Sequence, residues 1–435
     1  MSKATLEIKS FKKSEEWLKR SLKVIPSGSQ TFSKGYTQYP KGASPLFLEK
    51  GAGAYVWDVD GNKYLDYTLA LGPNILGYGN EAVDEAVTRQ WKNGAAFALP
   101  HPLEVEVAEM LVERIPSAEM VRFGKNGSDV TSAAIRLARA VTGRERVACC
   151  GYHGWQDWYI GSTTRAGGVP KAVRELTHTF DYNNLASLEK LFAEHPDEIA
   201  AVIMEPVGAV DPAPGFLEGV QALAKAKGAV FIFDEVVTGF RLGRGGAQEM
   251  YGVTPDLSCF GKAMANGASL SAVVGKRELM EVFDDIFFSF TYGGEAVSLA
   301  ACKATLLEMD RLNVFEYMYG IGDGLRDSFN ELAAKHGLAE RLKCIGFGPH
   351  SIVQFKDEKG ENSLVLRTLF QQEAAARGIL FLIMHNLCAA VTKEDVDRTL
   401  GLYDEIFSVV RKAVDSGAPE TFLKGETVRD IFRKH

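Results

Sequence analysis

The chain has 435 residues, 46% hydrophobic and 24% charged, with a formal net charge of −7. That length allows a large core divided between two domains, and the composition is ordinary for a globular protein. The acidic balance argues against a nucleic-acid surface, which needs a basic stripe, and no apolar run reaches the length of a membrane span.

In chain order, residues 5–24 have the periodicity of an amphipathic helix that is basic on one side. The opening MSKATLEIKSFKKSEEW has no apolar stretch of the kind a secretory leader carries, so a cytoplasmic protein is expected. Pro26 to Pro45 is rich in Gly, Ser and Pro and reads as loop. AYVWDVDGNKYLDYT follows, and Asp60-Gly61 between alternating residues predicts a hairpin. From about residue 80 helical segments alternate with MVRF, RVACC, IAAVIM, AVFIF, LSCF and SAVVG. Those runs are almost wholly apolar, as in strands buried on both faces, and predict a mainly parallel central sheet with helices on both faces. Beyond about residue 315 come a helix, CIGFGPHSIVQF, a helix over Leu364–Arg377, the apolar run GILFLIM and a final helix over Lys393–Ala413. The expected division is a large α/β domain over residues 69–314, with 1–68 and 315–435 forming a smaller α+β domain from both chain ends. The six cysteines form no CxxC pair, which predicts reduced, buried thiols.

In open α/β sheets ligands bind at the carboxyl ends of strands, and three segments there carry chemistry. In KNGSDVTSAAIRLARAVTG, Gly127 and Ser128 precede a helix whose predicted buried face is Ala134, Leu137, Ala138 and Val141. Free N–H groups, a hydroxyl and the positive end of a helix suit a phosphate; an ordinary cap by Ser128 or Asp129 would explain the same residues. In FIFDEVVTGFR, a buried strand ends in Asp234 and Glu235. An acid there needs a partner, either a positively charged ring nitrogen or a structural ion pair. In CFGKAMANG, Lys262 is either a solvated surface charge or a desolvated amine that attacks carbonyls. Taken together, a phosphate site, an acid for a protonated pyridine and an amine for an aldehyde are the three handles of pyridoxal 5′-phosphate (PLP).

IRLARAVTGRERV, GYHG, IMEPV, DEVVTGFR, GGAQEMYGVTPDLSCFGK and SFTYGG resemble the class III, fold type I, PLP-dependent aminotransferases, most closely the glutamate-1-semialdehyde 2,1-aminomutase subgroup. The likeness covers about residues 15 to 310 and is weaker beyond. It implies that Lys262 holds PLP as a Schiff base and that Asp234 pairs with the pyridine nitrogen. Val236, two residues on and placed on the same strand-like face, packs on one side of the ring. Tyr152 stacks on the other, unless it is a core aromatic. Gly127 and Ser128 hold the phosphate. Glu205 of IMEPV lies near the phenolic side, unless it is an exposed loop acid, and His153 has a structural role. Thr291 of SFTYGG reaches the phosphate of the neighbouring subunit of a homodimer. The implied activity is ping-pong transfer of an amino group from a donor to a carbonyl acceptor, passing through pyridoxamine 5′-phosphate. An intramolecular aminomutase is the alternative, and a catalytically silent PLP-fold subunit a third. A dinucleotide-binding oxidoreductase is disfavoured, since no GxGxxG follows a strand.

Four positions depart from the aminomutase pattern: Lys34 in place of an arginine, Leu71 in place of a tryptophan, Glu295-Ala296 in place of Asn-Pro, and His385-Asn386 where an acid is expected. Together they predict a different substrate, and so an intermolecular aminotransferase. Lys34, Arg241 and Arg367 are either carboxylate contacts or ordinary surface charges.

Overall fold

The computed structural model describes residues 10–431. They fall into two compact units: one reaches to Asn80 and resumes with Leu312–Ile431, the other is Glu81–Arg311. No helix among the described residues is long and apolar enough to cross a membrane.

The first unit begins with a helix over Lys12–Val24 that buries Ser14, Leu18 and Ser21 on one face. The helix expected from residue 5 therefore starts later, and residues 5–9 lie outside the described residues. Its first turn is capped from a distance: the Asp60 carboxylate accepts the N–H groups of Lys13 and Ser14, both at 2.9 Å. Pro26 to Pro45 forms three short 3-10 turns. Strands β1 (Leu48–Ala52), β2 (Tyr55–Asp58) and β3 (Lys63–Asp66) then make an antiparallel meander. The turn between β2 and β3 carries Gly61 at φ +88°, a conformation that favours glycine.

The second unit is built on strands β4 (Met120–Gly124), β5 (Arg146–Cys150), β6 (Thr177–Thr179), β7 (Ile199–Met204), β8 (Val230–Asp234), β9 (Leu257–Phe260) and β10 (Ser271–Gly275). They form one seven-stranded sheet in the order β4-β10-β9-β8-β7-β5-β6. Every pairing from β9 to β6 is parallel. Strand β10 runs antiparallel to both its neighbours, so β4 again points the same way as β9. β7 and β8 are buried along their whole length, as their unbroken apolar runs require. The helix Gly127–Thr142 packs on the sheet through Val130, Ala134, Leu137 and Ala138. Val141, predicted on that face, is exposed.

The first unit resumes with a helix over Val314–Lys335, the hairpin β11 (Leu342–Phe347) and β12 (His350–Phe355), and a helix over Leu364–Ala376. GILFLIM then splits into β13 (Ile379–Leu380) and, just past it, β14 (Met384–Asn386), and the last long helix is Lys393–Asp415. β13 pairs in parallel with β3, which joins the two chain ends in one sheet, while β14 pairs with β12 in another. Phe329, Phe370, Phe381, Tyr403 and Phe407 are all fully buried in this unit, and each such ring contributes roughly 2 kcal/mol of burial free energy. All six cysteines are buried, and none forms a disulfide among the described residues.

Candidate active site

Because β4, β5, β7, β8 and β9 all point one way, five chain segments leave the sheet at the same edge. Lys125-Asn126 follows β4, Gly151–Gly154 follows β5, Glu205 follows β7, Asp234 ends β8, and Gly261-Lys262 follows β9. Open α/β sheets bind ligands along this edge.

At the end of β4 the chain turns into the Gly127 helix. Asp129 Oδ2 accepts the N–H groups of Asn126, at 2.7 Å, and Lys125, at 3.1 Å. Asn126 is thus the capping residue, and neither Ser128 nor Asp129 occupies that position. Ser128 Oγ instead accepts the Trp155 N–H at 3.3 Å. Gly127 lies against Val236, where a Cβ would stand 2.9 Å from Cγ1. The two glycines of GYHG are needed for space and conformation. Gly151, at φ +109°, would put a Cβ 2.5 Å from the Glu205 carboxylate. Gly154, at φ +107°, would put one 2.3 Å from Ser128 Oγ.

His153 and Asp234 form a buried pair, 1% and 4% exposed. His153 Nδ1 lies 2.9 Å from Asp234 Oδ2, and Asp234 Oδ1 accepts the Val236 N–H at 3.1 Å. A carboxylate only accepts, so Nδ1 carries the proton and donates it. His153 Nε2 is buried with no hydrogen-bond partner among the described residues. Val236 sits in the turn beyond β8 and not on the strand, contrary to the spacing argument; its side chain fills the space between Gly127 and Gly261.

Glu205 accepts the Tyr152 N–H at 2.9 Å. Burial, and then the charge of Asp234, push its carboxyl up, so it is not an exposed loop acid. The Tyr152 ring is half-exposed and meets Tyr159 edge-on at 5.6 Å; it is not a core aromatic. Lys262 is held at φ +40°, in the left-handed region that non-glycine residues seldom adopt. Its amine makes no hydrogen bond among the described residues. Burial lowers its pKa; Glu205 and Asp234 oppose that shift and Arg241 reinforces it.

The second acid of the strand end has a different role. Glu235 is fully buried and accepts Thr238 Oγ1, the N–H groups of Ala247 (2.8 Å) and Gln248 (2.9 Å), and Gln248 Nε2. It fastens the loop after β8 to the start of the next helix.

The class-III aminotransferase family profile matches residues 37–400. The chain belongs to the class-III aminotransferases. The aminotransferase is 35% identical over 399 residues to the 3-aminobutyryl-CoA aminotransferase of Cloacimonas acidaminovorans, covering 89% of this chain and 95% of that one. It is 34% identical over 431 residues to glutamate-1-semialdehyde 2,1-aminomutase 2 of Exiguobacterium sp., covering 92% and 98%. Among solved structures, FumI of Sphingopyxis sp. MTA144, in its PLP internal aldimine form, superposes with a TM-score of 0.87 at 30% identity, covering 95% of this chain and all of that one.

Several predicted substrate residues of the aminotransferase are buried. Arg241 and Arg367 are 2% and 8% exposed, so neither is a surface charge. Arg367 donates to Gln38 Oε1 at 3.1 Å, and burial lowers its pKa to about 10. His385 is in the aromatic core of the first unit, and Asn386 donates to the Thr68 carbonyl at 2.9 Å. Glu295 caps the helix Ala296–Arg311, accepting the Val297 and Ser298 N–H groups at 2.7 and 3.1 Å. Lys34 does line open space: a cavity of about 390 Å³ in the first unit, with Tyr36, Tyr39, Asp66, Thr68 and Tyr78. Leu71 lies in a run of three left-handed non-glycine residues, Leu69 to Leu71. Thr291 is exposed in a turn. Sequence reasoning missed the His153–Asp234 contact and the anchoring role of Glu235. The flanking glycines of GYHG were a usable signal for the first, because such glycines imply a tightly packed turn.

Proposed function

We infer that this class-III aminotransferase binds PLP along the carboxyl edge of its central sheet and moves amino groups between separate donor and acceptor molecules. The observation that carries this reading is the arrival of a phosphate-type turn, a buried acid and an unbonded amine at one sheet edge. The cradle fits the cofactor: Gly127 leaves room where a Cβ would strike Val236, and His153 Nε2 is buried with no hydrogen-bond partner among the described residues.

Gly127 and Ser128, with the free N–H groups of their helix, would hold the phosphate. Val236 and Tyr152 would flank the ring, Asp234 would meet its nitrogen and Glu205 its phenolic side, and Lys262 would hold the aldehyde. When bound, PLP supplies an electron-withdrawing ring that stabilises negative charge at the substrate's amine-bearing carbon. Two donors, the His153 Nδ1–H and the Val236 N–H, would fix the orientation of the Asp234 side chain beside the ring nitrogen. Lys262 Nζ, whose pKa burial lowers, would take the proton from that carbon and return it later as an acid.

The enzyme is read as a cytoplasmic homodimer in which Thr291 reaches the neighbouring phosphate. Exposed Trp91, Phe97, Leu99, Val105, Phe290 and Tyr292 on the second unit support an apolar contact surface. Six cysteines outside any disulfide suit a reducing compartment. Small-molecule donors and acceptors are the expected partners.

Intramolecular transfer is favoured by the several glutamate-1-semialdehyde 2,1-aminomutases among the similar proteins, that of Exiguobacterium included. Of the departures that pointed away from it, Glu295 and His385-Asn386 serve structural roles, which leaves Lys34 and Leu71. A panel of amino donors tests the choice. A transferase is converted by a donor alone to the amino form of its cofactor, releasing one equivalent of the donor's carbonyl product, and turns over further only when a carbonyl acceptor is added. An aminomutase turns over a single substrate with no second carbonyl.

A further inference from the structure

Glu295 does more than a helix cap requires. Asn, Ser or Asp at that position would satisfy the first N–H groups of the helix Ala296–Arg311. Glu295 satisfies them with Val297, Ser298 and the Ser298 hydroxyl, at 2.7 to 3.1 Å, and its longer side chain also reaches Lys125 Nζ at 3.1 Å. Both side chains of this ion pair are 15% exposed, so solvent screens it less than a surface pair.

The pair joins two functional segments of the second unit. Lys125 belongs to the turn that opens the Gly127 helix. That turn is fixed from below by Ser269 Oγ, donating to the Lys125 carbonyl at 3.1 Å, and Ser271 Oγ, donating to the Asn126 carbonyl at 2.8 Å. Glu295 closes the exposed segment that contains Phe290, Thr291 and Tyr292; its own N–H is bonded to the Tyr292 carbonyl at 3.3 Å. Just before it, Gly294 lies so close to Glu104 that a Cβ would stand 2.4 Å from the carboxylate. The segment can therefore move little without disturbing Glu295. Burial pushes the Glu295 carboxyl up, but the bonds from Ser298, Lys125 and Val297 outweigh it and hold it below the ordinary value.

We propose that the Lys125–Glu295 ion pair is a positioning element that couples the two cofactor sites of the dimer, tying each subunit's own phosphate turn to the Thr291 segment it lends to its partner. The proposal rests on the homodimer and on the role of Thr291 inferred above. A phosphate at the Gly127 turn orders Lys125. Lys125 fixes Glu295, Glu295 fixes the Thr291 segment, and the neighbouring site becomes better formed. Filling one site then favours filling the other.

Equilibrium binding of PLP to the apo-protein, followed by dialysis at a concentration where sedimentation shows a dimer, tests this. The native dimer should bind the second cofactor about fivefold more tightly than the first, at the low end of ordinary coupling between sites. Glu295→Gln and Lys125→Met should each bind both cofactors with equal affinity, and the double variant should match the single ones. Apo-protein titrated with inorganic phosphate should gain protease resistance in residues 287–294, and Glu295→Gln should not. Equal affinities in the native dimer, or unequal affinities that persist in Glu295→Gln, overturn the coupling while leaving the dimer reading intact. A chain that stays monomeric, or a Thr291→Ala dimer that binds PLP as the native protein does, overturns the parent reading and the coupling with it.

Discussion

His153 and His385 are both buried imidazoles, one at the sheet edge of the second unit and one in the core of the first, and they differ in what their nitrogens meet. His385 uses both: Nδ1 lies 3.0 Å from Ser351 Oγ and Nε2 lies 2.8 Å from the Tyr403 hydroxyl, with Tyr67 and Phe381 rings around it. His153 uses one, on Asp234, and leaves Nε2 without a partner. The same contrast separates the two acids at the end of β8. Glu235 is saturated by its own loop, whereas Asp234 accepts two bonds and retains further capacity. A buried polar group that the fold satisfies completely is part of the architecture. One that the fold buries and leaves incomplete keeps capacity for a further hydrogen bond.

The contrast breaks most readily at Asp234. Asp234→Asn should lower kcat/KM about 10²- to 10³-fold, since it removes a fixed charge aimed at the reacting system. Its melting temperature should change far less than its activity; equal losses in both would make Asp234 another structural acid. Glu235→Gln should do the opposite. Its folding stability should fall by about 3 kcal/mol because an amide cannot accept two backbone N–H groups as the carboxylate does. Its kcat/KM per folded molecule should stay within about threefold of native, and a loss like that of Asp234→Asn would erase the distinction between the two acids.

His153→Leu sharpens the comparison further. Losing one hydrogen bond to a charged group, worth about 1.5 kcal/mol, should cost roughly tenfold in kcat and shift the pH dependence of the cofactor's absorbance band. A loss of stability with that titration unmoved would put His153 with His385.

The smallest expected effect belongs to His385. Burial holds it down to about 3 in the folded protein against 6.5 when exposed. A depressed folded value stabilises the native state above the unfolded pKa, and that stability is lost as pH falls from 6.5 toward 3. His385→Gln should be less stable at neutral pH, yet lose stability less steeply below pH 6.5 than the native chain. Parallel slopes for the two proteins would contradict the assignment.

Much of the central sheet was legible because its strands are unbroken apolar runs, which only burial on both faces explains. β6 was not, since Thr177–Thr179 is short and polar and pairs only along the edge of β5. GILFLIM gave no sign that it would serve two different sheets, because the partner of β13 is more than three hundred residues away in β3. The placement of Lys262, Asp234 and the Gly127 turn at strand ends was legible from motif and position. Arg241 was weighed as a charge, and His385 and Glu295 as departures bearing on the substrate, in each case without its partners in the fold. Ser351 and Tyr403 for His385, and Lys125 for Glu295, become neighbours only through the fold.

The central claim is that Lys262 is the amine left incomplete for the cofactor's carbonyl. Borohydride reduction of the PLP-loaded enzyme, followed by digestion and mass mapping, tests it most directly. The account predicts one modified peptide, with the label on Lys262 and none in Lys262→Ala. A protein that takes up no PLP, or a label that maps to any other lysine, would contradict it.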